Sequence, residues 1–101
     1  MARVVITASA DADSAAVLEY LKIKAGLPTV VKYRGLFKKL YERLADHPDS
    51  GPPRPALGPN IRIGIVSPYI VIYEHAPAAD NVTILRIVHG RRRITGKLLS
   101  E

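Results

Sequence analysis

Between His47 and Pro59 the chain carries five of its eight prolines, together with Gly51 and Gly58. Proline this dense supports neither a helix interior nor a central strand, because it removes N–H donors and fixes φ. The segment divides the sequence into two halves with different apolar periods. Upstream, apolar residues recur every three or four positions; downstream they alternate or run in short β-branched blocks. Neither half is long enough to bury a core by itself. The proline-rich stretch is therefore a crossover within one domain spanning residues 1–101.

The upstream half opens with a short strand, Arg3 to Thr7. A first helix is predicted from Asp11 to Ala25, with Ser9, Asp11 and Asp13 as N-terminal caps and Gly26 as its stop. Its inward face is predicted to carry Ala12, Ala16, Val17, Tyr20 and Leu21. Pro28 suits the first turn of a second helix reaching Ala45, with Val30, Tyr33, Phe37, Leu40, Tyr41 and Leu44 inward and Lys32, Lys38, Lys39 and Arg43 outward. Gly35 interrupts that helix, and close helix packing would explain it. The tyrosines are assigned to the core. Downstream, Asn60–Val66, Tyr69–His75 and Val82–His89 form an antiparallel meander, and Ile94–Ser100 a short terminal helix resting on Ile94, Leu98 and Leu99. The expected class is α+β, in the order β-α-α-β-β-β, with a helical hairpin on one face of an antiparallel sheet.

Charge sharpens the functional question. Fifteen Lys and Arg against nine Asp and Glu give a net charge of +6. Seven basic residues fall between Lys22 and Arg43 beside a single acid, Glu42, and five more between Arg86 and Lys97 with none. Such a field suits a nucleic acid, an acidic protein or solubility alone. Cysteine is absent, which removes disulfides and thiolate metal sites. No apolar run approaches the roughly 20 residues that span a bilayer. The Met1–Ile6 run lacks a signal-peptide pattern, so a cytoplasmic location without membrane association is expected.

The densest chemistry lies at the end of the last strand, His89-Gly90-Arg91-Arg92-Arg93. Strict alternation groups Val82, Ile84, Arg86 and Val88 on one face and Thr83, Leu85, Ile87 and His89 on the other. Arg62, Arg86, Arg91, Arg92 and Arg93 are expected to gather near one sheet surface, where guanidinium forks grip carboxylate or phosphate equally. His47, His75 and His89 lack metal-ligand spacing, no phosphate-cradling glycine loop is present, and no cofactor is implied. Metal-free RNA cleavage remains open, with His89 as base, Glu74 or His75 as acid, and Arg62, Arg86 and Arg91 stabilising the phosphorane. So does a purely structural strand-end histidine.

Several stretches, taken in order, resemble the RelE/ParE superfamily of bacterial toxin–antitoxin toxins. They are the helix-ending Leu44-Ala45-Asp46-His47-Pro48-Asp49-Ser50-Gly51, the Arg62 strand, Tyr69-Ile70-Val71-Ile72-Tyr73, and Ile84-Leu85-Arg86-Ile87-Val88-His89-Gly90-Arg91-Arg92. The RelE-like branch cleaves mRNA on the ribosome and often carries a tyrosine near its C-terminus; no tyrosine follows His89 here. The ending is more similar to the ParE branch, whose members inhibit DNA gyrase. The resemblance implies a plasmid-stabilising toxin that forms a hetero-oligomer with a cognate antitoxin. Gyrase is then the target, and Arg62, Arg86, His89 and Arg91 to Arg93 are the partner-binding residues. The alternatives it leaves are a ribosome-dependent mRNA endonuclease and a non-toxic binding module.

Overall fold

In a computed structural model, residues 1–100 are described. Strand β1 (Arg3–Ile6) leads into helices α1 (Ala8–Ala25) and α2 (Leu27–Asp46), then strands β2 (Ile61–Val66), β3 (Tyr69–Glu74) and β4 (Asn81–His89), and a terminal turn of helix α3 (Gly96–Leu99). The sheet order is β1-β4-β3-β2. β2, β3 and β4 form the antiparallel meander, whereas β1 lies parallel to β4, pairing Arg3 with Asn81 through Ile6 with Ile84. The sheet is thus mixed, and β4 is interior.

Helix α1 starts three residues earlier than the acidic residues suggest. Thr7 is its cap: the Thr7 hydroxyl accepts the Ala10 N–H at 3.1 Å and donates to the Ile84 carbonyl at 2.8 Å. One side chain therefore closes the helix N-terminus and fastens the β1–α1 turn to β4. Gly26, with φ of 87°, is the entire connection between α1 and α2, and its N–H donates to the carbonyls of Leu21 and Lys22. A left-handed φ at a one-residue turn favours glycine.

The main core lies between the helices and one sheet face, built from Phe37, Leu40, Leu44, Tyr69, Val71, Tyr73, Val82, Ile84 and Ile87. The cationic face of α2 is exposed, as its period requires. α1 departs from expectation: Val17 and Leu21 pack against the core, while Ala12, Ala16 and Tyr20 are exposed. Apolar residues occur around most of this helix, so the sequence marks no unique inner face. On the far side of the sheet Leu57, Ile61, Ile63, Ile72, Val88 and Leu98 form a second, smaller core, backed by the proline-rich crossover and the tail. Ile94 and Leu99 pack against it, as predicted for the terminal helix.

The glycines correct one expectation. A Cβ on Gly35 would meet open space, so helix packing does not require this residue. The close approach is at Gly64, where a Cβ would lie 2.9 Å from Leu40 Cδ1. Gly35→Ala is accordingly expected to stabilise the protein by about 0.5–1 kcal/mol through helix propensity. Chemical denaturation checks this, and an unchanged or lowered midpoint would contradict it.

Candidate functional site

A bulge in β4 decides where its charged residues go. Ile72 pairs with Arg86 but Tyr73 pairs with Ile84, so Leu85 is the extra residue. Past the bulge the facing is reset. Ile87 joins Val82 and Ile84 in the helix-side core, while Leu85 and Val88 face the other core. The strict alternation expected from sequence therefore fails beyond Leu85. His89 turns to the helix side, where its ring meets Tyr69 edge-on at 5.8 Å.

Arg86 is directed to the edge of β4 beyond the end of β1. Its Nε and Nη2 donate to the Asp13 carboxylate at 2.7 and 3.1 Å, and Nη1 donates to the Leu98 carbonyl at 2.8 Å. Asp13 Oδ2 also accepts the Ile87 N–H at 2.9 Å. The guanidinium thus ties α1, β4 and α3 together with its side chain only 11% exposed, against 18% for Asp13.

Arg62 is likewise engaged, on the edge strand β2. Its Nη1 donates to the carbonyls of Asp49 and Gly51 at 3.0 and 2.7 Å, and Nε lies 3.4 Å from Asp49 Oδ1. Beside it the Tyr73 hydroxyl donates to the Pro48 carbonyl at 2.8 Å and accepts the Gly51 N–H at 3.0 Å. Burial raises the Tyr73 phenol above its ordinary value, so it stays a neutral donor. Together Arg62 and Tyr73 hold the proline-rich crossover onto the sheet.

Arg62 and the terminal arginines do not gather. Arg62 is level with Tyr73 and Ile84, whereas His89 is level with Tyr69. That is four residues along β3, roughly 13 Å at ~3.3 Å per residue. What does assemble is His89 with Arg91, Arg92 and Arg93. The Arg91 N–H donates to His89 Nδ1 at 3.0 Å, the Arg92 N–H to the His89 carbonyl at 2.9 Å, and the Gly90 N–H to the Pro68 carbonyl at 2.8 Å. These bonds fix a tight turn that presents three exposed arginines at one end of the sheet.

The acid candidates for RNA cleavage are elsewhere. His75 and Glu74 close the far end of β3, where His75 Nδ1 faces Asp49 Oδ1 at 2.9 Å and Nε2 faces the Ala79 carbonyl at 3.1 Å. The hydrogen bond from His75, with Arg62 adding its charge, holds the Asp49 carboxyl below the ordinary aspartate value against a smaller opposing effect of desolvation. A depressed folded-state pKa contributes stability that is present above the unfolded aspartate value and lost as pH falls through the folded one. Acid unfolding below about pH 4 is therefore expected to be steeper for the wild type than for Asp49→Asn. Parallel pH–stability curves for the two proteins would contradict this.

Sequence reasoning did not find the cleft beside the arginine turn. Val17, Tyr20, Leu21, Tyr33, Tyr69 and His89 line most of it, and its volume is about 530 Å³. Next to it the helical hairpin exposes Tyr20 (57%), Ile23 (72%), Leu27 (62%) and Val31 (69%), which straddle the Gly26 turn. The missed signal was α1 itself, whose surplus of apolar residues exceeds what one buried face uses. Large exposed apolar side chains near a charged rim are features that protein-binding surfaces share.

The chain is thus a small basic α+β domain, with a helical hairpin on a four-stranded sheet and an apolar cleft beside a cationic turn. Residues 4–94 match the family described as the ParE toxin of type II toxin-antitoxin system, parDE, and the chain belongs to that family. Among solved structures, a chain of the chromosomal ParDE TA system from P. aeruginosa aligns with a TM-score of 0.72 and 21% identity, covering 88% of this chain and 96% of that one. The β-α-α-β-β-β fold is shared with it. No curated protein sequence matches the chain.

Proposed function

We propose that this ParE-family chain is a toxin that inhibits DNA gyrase by binding it, in the bacterial cytoplasm, and is held inactive by a cognate antitoxin. The observation that carries this reading is that the acid candidates for RNA cleavage, and two of the three arginines, are placed away from His89 or engaged elsewhere. His89 Nδ1 is occupied by the Arg91 N–H, and Glu74 and His75 lie at the other end of β3. Arg86 and Arg62 are spent on internal contacts. General acid–base chemistry needs its acid and base within reach of one bond. The exposed features that remain, the arginine turn and the apolar cleft, suit gripping a protein. An antitoxin segment that folds on binding finds both an apolar landing surface and a positive field here.

Induction of the chain in growing cells tests the reading. The expected result is arrested DNA synthesis with full-length mRNA, reversed by co-expression of the cognate antitoxin. Rapid codon-specific mRNA cleavage with continuing replication would establish the ribosome-dependent endonuclease instead.

A further inference from the structure

The edge strand β2 is covered along only part of its length. The Arg54 N–H donates to the Ile61 carbonyl at 2.8 Å and the Ile63 N–H donates to the Pro52 carbonyl at 3.1 Å, so Ile61 and Ile63 turn their backbone groups outward. In a regular strand Ile65 does the same. The crossover stops following β2 at Pro52, which has no N–H to continue the ladder, and Gly51 turns away to the Tyr73 hydroxyl. Ile65 is left with its N–H and carbonyl directed at solvent and its side chain 54% exposed.

Alongside this open edge, α2 and β2 enclose a cleft of about 440 Å³ lined by Leu36, Lys39, Leu40, Arg43, Ile65 and Val66. An open edge is a template for another strand. The flanking charges choose which strand. Glu42 is on the same helix but does not line the cleft, so Lys39 and Arg43 face it without an acid. A second copy of this chain would bring the same two cations and another net charge of +6 into contact, which is repulsive.

We infer that the open half of β2 receives an extended partner segment in which acidic and aliphatic residues alternate. Successive side chains of an added strand point to opposite faces. The acids reach toward Lys39 and Arg43, and the aliphatic residues lie beside Ile65 and its cross-strand neighbour Ile70. The inference rests only on the part of the proposed function in which an acidic segment meets this chain, and it is independent of gyrase.

The test uses the purified full chain and a synthetic decapeptide of alternating Glu and Val, with amide exchange followed by NMR. At saturating peptide the Ile65 amide is expected to exchange at least about tenfold more slowly, and the K39E/R43E variant to bind at least about tenfold more weakly at an unchanged melting temperature. A block peptide of five Glu followed by five Val leaves Ile65 unprotected. Unaltered Ile65 exchange overturns the inference, as does equal protection by both peptides or a free-protein dimer paired through β2. Peptide shifts confined to Tyr20, Tyr69 and His89 would overturn the edge assignment while leaving an acidic segment as the partner.

Discussion

Asp13→Ala is expected to destabilise the protein by about 3 kcal/mol, lowering its melting temperature by roughly 12–24 °C. The carboxylate it removes satisfies two nitrogens of Arg86 and the Ile87 N–H at once. Its loss takes two hydrogen bonds from a largely desolvated guanidinium and one from a strand N–H beyond the end of β1. Breaking a buried pair from one side costs about 3–5 kcal/mol, and the residual exposure of both partners places this one at the lower limit. The double variant Asp13→Ala/Arg86→Met is expected to cost less than the sum of the singles, because the two side chains bond each other directly and each single already removes that contact. Additive losses in a double-mutant cycle would show that the pair is not coupled. The same cycle settles the status of Arg86: its replacement is expected to reduce toxicity in proportion to lost folded protein.

Arg91, Arg92 and Arg93 are expected to behave oppositely. Their simultaneous replacement by alanine should abolish growth arrest while shifting stability by no more than about 1 kcal/mol, as exposed substitutions typically do. The turn that carries them is closed by main-chain donors: Gly90 N–H to the Pro68 carbonyl, Arg92 N–H to the His89 carbonyl, and Arg91 N–H to the His89 ring. Alanine preserves all three. Loss of the cationic side chains removes the long-range field at this end of the sheet and the forks that would bind an acidic surface. Growth inhibition measured beside thermal denaturation separates the two effects. A triple variant that stays folded and fully toxic would remove these residues from the binding surface.

The contrast between Arg86 and the terminal arginines shows what the sequence could disclose. The element order was legible because each signal is local: the proline-dense crossover, the period change across it, Gly26 at the helix turn, and Gly90 at the strand end. The arginine run announced itself by composition. The fate of Arg86 depended on the Leu85 bulge, and an extra residue in a strand leaves no mark in a run of Ile, Leu and Val. Its partner Asp13 is 73 residues away and read as a helix cap. Arg62 misled for a related reason, because its acceptors are the carbonyls of Asp49 and Gly51, main-chain groups that any residue offers. The cleft at Tyr20, Tyr33 and Tyr69 was hidden by assigning every tyrosine to the core. Burial does claim Tyr69 and Tyr73, but α1 is too apolar all round to reveal which side meets water.

Inhibition of purified gyrase is the most direct test of the central claim. The antitoxin-free chain and its Arg91, Arg92 and Arg93 alanine variant would be titrated into a DNA supercoiling assay, with mRNA integrity followed in parallel in a translation extract. Gyrase inhibition gives loss of supercoiling with the wild type, retention with the variant, and intact mRNA with both. Undiminished supercoiling at saturating wild-type protein, accompanied by cleaved mRNA, would contradict it.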